Sequence, residues 1–341
     1  MRCIVITSIA APNPVMIRIA RRAAADGDRF IVIGDTRSPA DFHLDGCSFF
    51  NLEQQLATGL KFAIACPTRH YARKNVGYLL ASHFGAETII ETDDDNHPEE
   101  SFFSPRCAAV DAQVVAAQGW VNVYRHFSDG AHALWPRGLP LTAIAEAGQP
   151  PVDSLCVQQV YCPIQQHLVD VNPDVDAIYR LTGRLPICFA RARPLALAPG
   201  AWCPFNSQNT TWWPDAFPLT YLPAHCSFRM TDIWRSFVAQ RIAFANGWHI
   251  LFGPPTVWQE RNAHDLMQDF ADEVPGYLNN DRIRKGLEDL PIEPGRDKIG
   301  SNMLCCYRFL VGLGLVGSDE LCLLPLFLEE LTQNDFSQPL N

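Results

Sequence analysis

Three consecutive aspartates, Asp93, Asp94 and Asp95, are the residues of this sequence whose type and spacing point most clearly to chemistry. Ionised carboxylates in adjacent positions repel one another unless a cation neutralises them. Side chains alternate along an extended chain, so Asp93 and Asp95 point to one side as two hard oxygen ligands. Such ligands suit Mg²⁺ or Mn²⁺, which keep coordination positions open for water and phosphate oxygens. The triplet predicts a divalent-metal site, and the alternative is a solvated acidic turn.

Other polar residues near the triplet extend this chemistry. A metal ion held by carboxylates stabilises a departing nucleoside diphosphate as a Lewis acid, which is the chemistry of glycosyl transfer. Arg73 and Lys74 are expected to pair with phosphate oxygens or to balance the aspartates, unless they are an ordinary charge pair on a helix surface. Asp35 is suited to accept hydrogen bonds from a base or a ribose, with Arg37 assisting it. A turn-forming aspartate is the alternative for Asp35.

The elements that must position these residues follow from the hydrophobic pattern. A strand over residues 3–7, a capped helix over 13–27 and a strand over 30–35 predict the start of a doubly wound sheet. A helix over 71–85 and a strand over 87–92 continue it. Ligands of open α/β sheets bind beyond the carboxyl ends of the strands. The segments expected to converge there are Thr7-Ser8, Asp35-Thr36-Arg37 and Asp93-Asp94-Asp95.

The rest of the chain predicts a mixed sheet and a helical end. Residues 98–218 are rich in proline and short apolar runs, which favours further strands and long site-forming loops. Apolar residues at helical spacing predict a helix over 229–246, and shorter helical patterns follow it. We expect the acidic stretch 264–273 to be a solvated helix face. The expected fold is α/β, with a GT-A-like domain over 1–255 and a helical extension over 256–341 packed on it.

Composition excludes several classes of protein. With 341 residues, 48% hydrophobic and 19% charged, the chain is globular. A net charge of −10 argues against sequence-independent binding to nucleic acid or anionic lipid. Twelve scattered cysteines without a Cys-x-x-Cys pair are expected to be reduced and mostly buried. No stretch approaches the roughly 18 apolar residues of a membrane span. We therefore expect a cytoplasmic protein with no transmembrane segment, whose partners are small molecules or proteins and not nucleic acid.

Several separate blocks resemble the STELLO family of glycosyltransferases, in the same order and over most of the chain. Besides the strand that ends in Asp93-Asp94, the blocks are 72–80 (ARKNVGYLL), 135–141 (WPRGLPL), 173–176 (PDVD) and 206–210 (NSQNT). The resemblance implies a GT-A fold that uses a sugar nucleotide and a divalent cation. The plant UDP-arabinopyranose mutases and the exostosin-like transferases are similar in fold.

The sequence departs from this family at the metal motif. At this point the plant members resemble a motif of the form acid-x-Asp-Asp, where x is any residue. Glu91, Asp93 and Asp94 match this motif, and Asp95 lies outside it. Which carboxylate holds the metal is therefore open. The localisation and partners of the plant members are not carried over to this chain.

Further candidate residues lie after the aspartate triplet, some indicated by the resemblance and some by the chemistry of their side chains. Asp232, near the start of the helix over 229–246, is a candidate general base for an acceptor hydroxyl. If the reaction retains anomeric configuration, Asp232 orients the substrate instead; the alternative is an aspartate favoured by the helix dipole. His264 is a candidate nitrogen ligand for Mn²⁺. The residues expected to line the sugar or acceptor pocket are Trp135, Arg137, Asn206 and Asn209.

These expectations give one leading hypothesis and two alternatives. The leading one is a metal-dependent glycosyltransferase that moves a sugar from a nucleoside-diphosphate sugar, with a UDP-sugar favoured, to an unidentified hydroxyl acceptor. Its donor lies across Thr7, Asp35, Arg37 and Arg73. A sugar-nucleotide mutase or nucleotidyltransferase on the same fold is the first alternative. A catalytically silent scaffold that binds a sugar nucleotide is the second.

Overall fold

The computed structural model describes residues 1–128, 133–145, 155–262 and 264–332. Within these ranges the strands are β1 (Arg2–Thr7), β2 (Arg29–Ile33), β3 (Ser48–Phe50), β4 (Thr88–Thr92), β5 (Asn96–Pro98), β6 (Ala109–Val115), β7 (Gly119–Trp120), β8 (Val157–Tyr161), β9 (Ile164–Asp170), β10 (Leu195–Leu197), β11 (Ala201–Trp202), β12 (Asn209–Trp212) and β13 (Ile250–Gln259). The α-helices in the same ranges are α1 (Pro14–Asp26), α2 (Leu52–Ala57), α3 (Lys61–Ala65), α4 (Lys74–His83), α5 (Tyr124–Phe127), α6 (Ala177–Thr182), α7 (Thr231–Ala245), α8 (Leu266–Asp289), α9 (Ile299–Gly312) and α10 (Glu320–Thr332).

The predicted strand–helix–strand unit at the N-terminal end is confirmed as β1, α1 and β2. The side chain of Asn13 accepts a hydrogen bond from the Met16 N–H at 3.0 Å, and Pro14 opens the helix with the φ that a first turn needs. Gly27 ends the helix in the left-handed region at φ 73°. The apolar side chains of β1 and β2 are buried, as expected for strands covered on both faces.

Across the described ranges, eleven strands form one mixed sheet, of which ten follow the order β3-β2-β1-β4-β12-β9-β13-β10-β6-β8 and β5 pairs with β13. The β3, β2, β1 and β4 strands run parallel to one another, while β12 is antiparallel to both β4 and β9. Thr7 pairs with Ile33, so β1 and β2 end at the same level. The carboxyl ends of β1, β2 and β4 therefore meet at one edge of the sheet.

The α4 helix packs closely against this parallel part of the sheet. It follows a short 3₁₀ turn over Tyr71–Arg73, so the predicted helix over 71–85 is confirmed with a tighter first turn. A Cβ atom on Gly77 would lie 2.5 Å from Cγ1 of Val5, which is closer than real carbon atoms approach. Gly77 therefore allows the helix to lie against β1, and the residues on its first turn are held at the carboxyl edge.

The C-terminal helices share the core of the sheet. Ile283 of α8, Tyr307 of α9 and Phe327 of α10 belong to the same buried cluster as Val5 of β1. Glu330 of α10 accepts hydrogen bonds from the backbone N–H groups at the start of α3, including Phe62 at 3.2 Å. The predicted α/β fold with a mixed sheet and a helical C-terminal part is confirmed, and it is consistent with a GT-A-like fold. The domain division after residue 255 stays a prediction; that residue lies within β13.

None of the helices that the structure describes combines the length and the apolar composition that crossing a bilayer requires.

Candidate functional site

A cavity of about 370 Å³ opens beyond the carboxyl ends of β1, β2 and β4. Its size falls within the range of small-molecule sites. The structure brings to it the three segments that were expected to converge. The predicted site residues that line the cavity are Thr7, Ser8, Asp35, Arg37, Arg73, Asp93, Asp94, Asp95, Arg137, Asp232 and His264.

Each of the three aspartates at the end of β4 has its own hydrogen-bonding partner. Asp93 Oδ1 accepts from Lys74 Nζ at 3.0 Å, and Asp94 accepts from the hydroxyl of Ser8. Gln259 Nε2 donates to both oxygens of Asp95 at 3.1 and 3.2 Å. Among the residues described here, no three His, Cys, Asp or Glu side chains form a ready-made metal cluster. A cation would have to draw its remaining ligands from water and substrate.

Burial disfavours the ionised form of two of these carboxylates. It raises the pKa of Asp95 to about 7 and also raises the pKa of Asp94, and the charge of Asp93 adds to both effects. The folded structure therefore disfavours the full negative charge of the triplet. A divalent cation reverses this preference, so the triplet has the donor chemistry that fits Mg²⁺ or Mn²⁺.

Arg73 and Lys74 are both buried, and both donate into the protein. Lys74 Nζ donates to the backbone oxygen of Thr92 at 2.6 Å as well as to Asp93, with no exposed side-chain surface. Arg73 donates to Gln55 at 2.8 Å and to Cys66 O at 2.9 Å. Lys74 thus balances Asp93, which was one of its two expected roles. The role of Arg73 on phosphate oxygens stays a prediction.

Asp232 belongs to a buried ion-pair network at the cavity, and Ser207 and Tyr71 link it by hydrogen bonds to Asp93. Arg137 Nη2 lies 3.0 and 2.9 Å from the two oxygens of Asp232. The same guanidinium donates to Asp174 at 2.7 and 2.9 Å. Ser207 donates to Asp232 through its N–H and its hydroxyl, both at 3.2 Å. The network fixes the Asp232 carboxylate in one orientation toward the cavity.

Three predicted pocket residues lie behind the cavity wall in the part of the chain that the structure describes. Trp135 Nε1 donates to Asp176 at 2.7 Å, and Asn206 Nδ2 donates to Asp174 at 2.8 Å. Asn209 is fully buried in β12 and donates to Thr256 at 3.0 Å. These contacts hold the wall in position, and a direct contact of these side chains with a sugar stays a prediction.

His264 and the acidic stretch after it are arranged differently from the expectation of a solvated face. Asp269 pairs with Arg261 at 2.6 Å, and Glu273 pairs with Arg229 at 2.9 Å. Asp269 is 7% exposed and Glu273 is fully buried, so the prediction of a solvated face is wrong for these two residues. The Nδ1 atom of His264 lies 3.4 Å from Oδ1 of Asp269.

Several cavity residues had no signal in the sequence. The ring of Phe228 is 54% exposed at the cavity, and its centroid lies 6.1 Å from that of His70 and 6.3 Å from that of Tyr71. Tyr71 also donates to Asp93 at 3.0 Å. Arginines from later elements complete the wall: Arg180, Arg229 and Arg261. Isolated aromatic and arginine residues have no characteristic spacing, so only the fold reveals their convergence.

Comparisons with known proteins agree with the sequence blocks. Residues 229–340 match the family model of the STELLO glycosyltransferases. The chain is 29% identical to the probable glycosyltransferase STELLO2 of Arabidopsis thaliana, over 76% of this chain and 36% of that protein. It is 28% identical to STELLO1 of the same plant over the same shares. The chain thus spans about a third of the length of these curated relatives. These matches confirm that the chain resembles the STELLO glycosyltransferases.

Proposed function

We propose that this chain is a divalent-metal-dependent glycosyltransferase that transfers a sugar from a nucleoside-diphosphate sugar to a hydroxyl acceptor. The observation that carries the proposal is the meeting of the Asp93–Asp95 triplet with the loops after β1 and β2 in one cavity. Carboxylates beside polar strand ends are the groups that a metal-bound diphosphate and its nucleoside require.

The donor is assigned to the N-terminal side of the cavity. Asp35 accepts hydrogen bonds from the N–H groups of Thr36 at 2.6 Å and His70 at 3.2 Å. These bonds fix the carboxylate, whose remaining lone pairs accept from a ribose or a base. Arg37 and Thr7 line the same side. We favour a UDP-sugar as the donor.

Asp93 and Asp95 are the residues that we assign to the cation, Mn²⁺ or Mg²⁺, with Asp94 held by Ser8 beside them. When bound, the cation supplies Lewis-acid stabilisation of the leaving diphosphate. Lys74, buried next to Asp93, adds a fixed positive charge on the protein side. The electrostatic stabilisation of the leaving group is the main catalytic contribution in this proposal.

Asp232 is assigned to the acceptor side. In an inverting reaction it takes the proton of the acceptor hydroxyl, and in a retaining one it orients the substrate. Arg137 and Ser207 hold its carboxylate in place for either role.

The testing experiment is a thermal-shift screen of nucleotide sugars with and without Mn²⁺ or Mg²⁺. A ligand that binds the native state raises the melting temperature by mass action. We expect a UDP-sugar to raise it when the cation is present and to have a much smaller effect when EDTA replaces the cation. No shift with any combination would overturn the proposal.

Product analysis then separates the possible reactions. Release of a nucleoside diphosphate supports glycosyl transfer. Release of a monophosphate with pyrophosphate would indicate a nucleotidyltransferase, and an isomerised donor would indicate a mutase. Donor binding without any turnover across a broad acceptor panel would indicate a scaffold.

The cytoplasm is the compartment that we propose. Five of the twelve cysteines are buried, fewer than expected, and four are exposed. Burial raises the pKa of the Cys3, Cys66 and Cys162 thiols to about 12, so they behave as small apolar side chains. Free thiols in this number suit a reducing compartment.

A further inference from the structure

One wall of the cavity is formed by three arginines from different elements. Arg180 comes from α6, Arg229 from the 3₁₀ turn before α7, and Arg261 from the segment after β13. Like charges repel one another, so such a group is stable only when anions compensate it. If the carboxylates of the protein do not pair with all three arginines, the remaining positive charge is available to an anionic ligand.

Two of the three arginines have carboxylate partners within the protein. Arg229 donates to Glu273 at 2.9 and 3.0 Å, and Arg261 lies 2.6 Å from Asp269. Both carboxylates belong to α8, behind the arginines. These pairs fix the two guanidinium groups at the wall.

Arg180 differs from both. No carboxylate lies within 4.0 Å of its guanidinium among the residues that the structure describes. Its Nη2 donates to the backbone oxygen of Pro173 at 2.8 Å, and its buried Nε has no hydrogen-bond partner in the same ranges. Burial, together with the charges of Arg261 and Arg229, lowers the pKa of Arg180 to about 10, although the more distant charges of Asp174 and Asp269 act in the opposite direction. This is a cation that lacks a full set of partners at the wall of a ligand-sized cavity.

The position of this wall relates it to the acceptor. Arg137, which holds Asp232, also donates to the backbone oxygen of Arg229. Arg229 therefore lies next to the guanidinium that holds the carboxylate assigned to the acceptor hydroxyl, and the charge of Arg180 acts on Asp174, which the same guanidinium binds. The residues assigned to the nucleoside come from the loops after β1 and β2.

We propose that Arg180, flanked by Arg229 and Arg261, binds an anionic oxygen group of the acceptor, so that the acceptor is a sugar or glycan bearing a carboxylate or a phosphate. The inference rests on the proposed function and names the substrate class of its acceptor side. A guanidinium matches the planar or tetrahedral oxygens of either group through paired hydrogen bonds.

Calorimetric titration of the whole chain tests this inference with three probes: D-glucuronate, D-glucose 6-phosphate and neutral D-glucose. We expect at least one charged sugar to bind about tenfold or more tightly than glucose, because charge-assisted hydrogen bonds to a partly buried cation supply this difference. The charged sugar that binds with the higher affinity shows whether the site prefers a carboxylate or a phosphate.

Variants assign the effect to Arg180. Arg180→Gln is expected to abolish the preference for the charged sugar, Arg180→Lys to keep part of it, and the control Arg308→Gln, at an exposed position of α9, to leave it unchanged. Equal binding of charged and neutral sugars by the unmodified protein would overturn the inference, and so would an unchanged preference in Arg180→Gln.

Binding of UDP with Mn²⁺ is measured on the same proteins. If Arg180→Gln weakens UDP binding as much as it weakens the charged sugar, the arginine serves the donor and the inference is wrong. If the unmodified protein binds the charged sugar but not UDP, the proposed donor chemistry fails while the anion site stands.

Discussion

Glu91 and Arg235 form a two-point ion pair inside the core, with Arg235 Nη2 and Nη1 at 2.8 and 2.9 Å from the two carboxylate oxygens. Their side chains are 0% and 1% exposed. Trp212 donates to the same carboxylate at 2.9 Å. Glu91 is the first acidic residue of the acid-x-Asp-Asp pattern. Because its oxygens are occupied within the core, Asp93 and Asp94 are the members of that pattern that line the cavity.

Breaking this pair should destabilise the fold without removing the metal site. Glu91→Gln leaves Arg235 as an uncompensated buried charge, so we expect a loss of about 3–5 kcal/mol in the free energy of unfolding. Urea denaturation measures it. The double variant Glu91→Gln with Arg235→Met removes the unpaired charge and should recover part of the loss. The folded Glu91→Gln variant should still bind the donor in a cation-dependent way. Loss of this binding would show that Glu91 is a metal ligand.

Asp95 allows a cleaner test of metal binding than Asp93. Removing the Asp93 carboxylate would also leave Lys74 without its anion, and Lys74 is fully buried. Asp95→Asn removes a charge that the folded state disfavours, so we expect no loss of stability. It should reduce the affinity for Mn²⁺ about tenfold or more, because a carboxylate ligand is lost. Calorimetry with Mn²⁺ and a UDP-sugar measures this, with exposed Asp111→Asn as the control. Equal affinity in the two variants would exclude Asp95 as a ligand.

Phe228 should contribute to binding and little to stability. Its ring is 54% exposed at the cavity, so Phe228→Ala should change the free energy of unfolding by less than about 0.5 kcal/mol. Loss of aromatic stacking on a base or a sugar should weaken ligand binding about fivefold, or about 1 kcal/mol. Calorimetric titration gives the affinity. Leu278→Ala, at a 75% exposed position of α8, is the matched control and should not alter binding.

Asp176 should make stability depend on pH. It caps α6 by accepting from the Tyr179 N–H at 2.7 Å, and burial raises its pKa to about 6. In the unfolded chain the value is about 3.9. Between about pH 4 and pH 6 the folded state retains a proton that the unfolded state has lost, so stability falls as pH rises, by at most about 3 kcal/mol.

The Asp176→Asn variant should lack the contribution of Asp176 to this slope, while the contribution of Asp95, which has the same sign, stays the same in both proteins. Asparagine also loses one acceptor for Trp135, which lowers stability at every pH, so the slope and not the level is compared. Urea denaturation from pH 4 to pH 7 provides the measurement. Parallel curves for the unmodified protein and the variant would show that Asp176 does not titrate in this range. Asp111→Asn, at an exposed position, should follow the unmodified protein.

The sequence predicted the carboxyl edge of the sheet better than it predicted the side chains around it. Continuous apolar runs over β1 and β2 are typical of covered parallel strands, so the position of Ser8 and Asp35 followed from strand geometry. The contacts of Lys74 could not be predicted in this way, because its acceptors include the backbone oxygen of Ser207, which lies 133 residues away in sequence. Whether a side chain on the first turn of a helix is buried depends on the elements that pack against it. The local spacing of apolar residues does not predict this.

The acidic stretch shows the same limit. Asp269 and Glu273 have the spacing of charges on an exposed helix face. Arg229, which pairs with Glu273, lies 44 residues earlier and outside any pattern that includes both. The wall of Arg180, Arg229 and Arg261 could not be predicted from the sequence, because each arginine comes from a separate element.

The contact of Glu330 with the first turn of α3 bears on the order in which the protein is made. Phe62 and Glu330 are 268 residues apart, so a ribosome adding about 5–20 residues per second needs roughly 13–54 seconds to supply the acceptor after the donor. The first turn of α3 thus obtains these acceptors only after α10 has been synthesised.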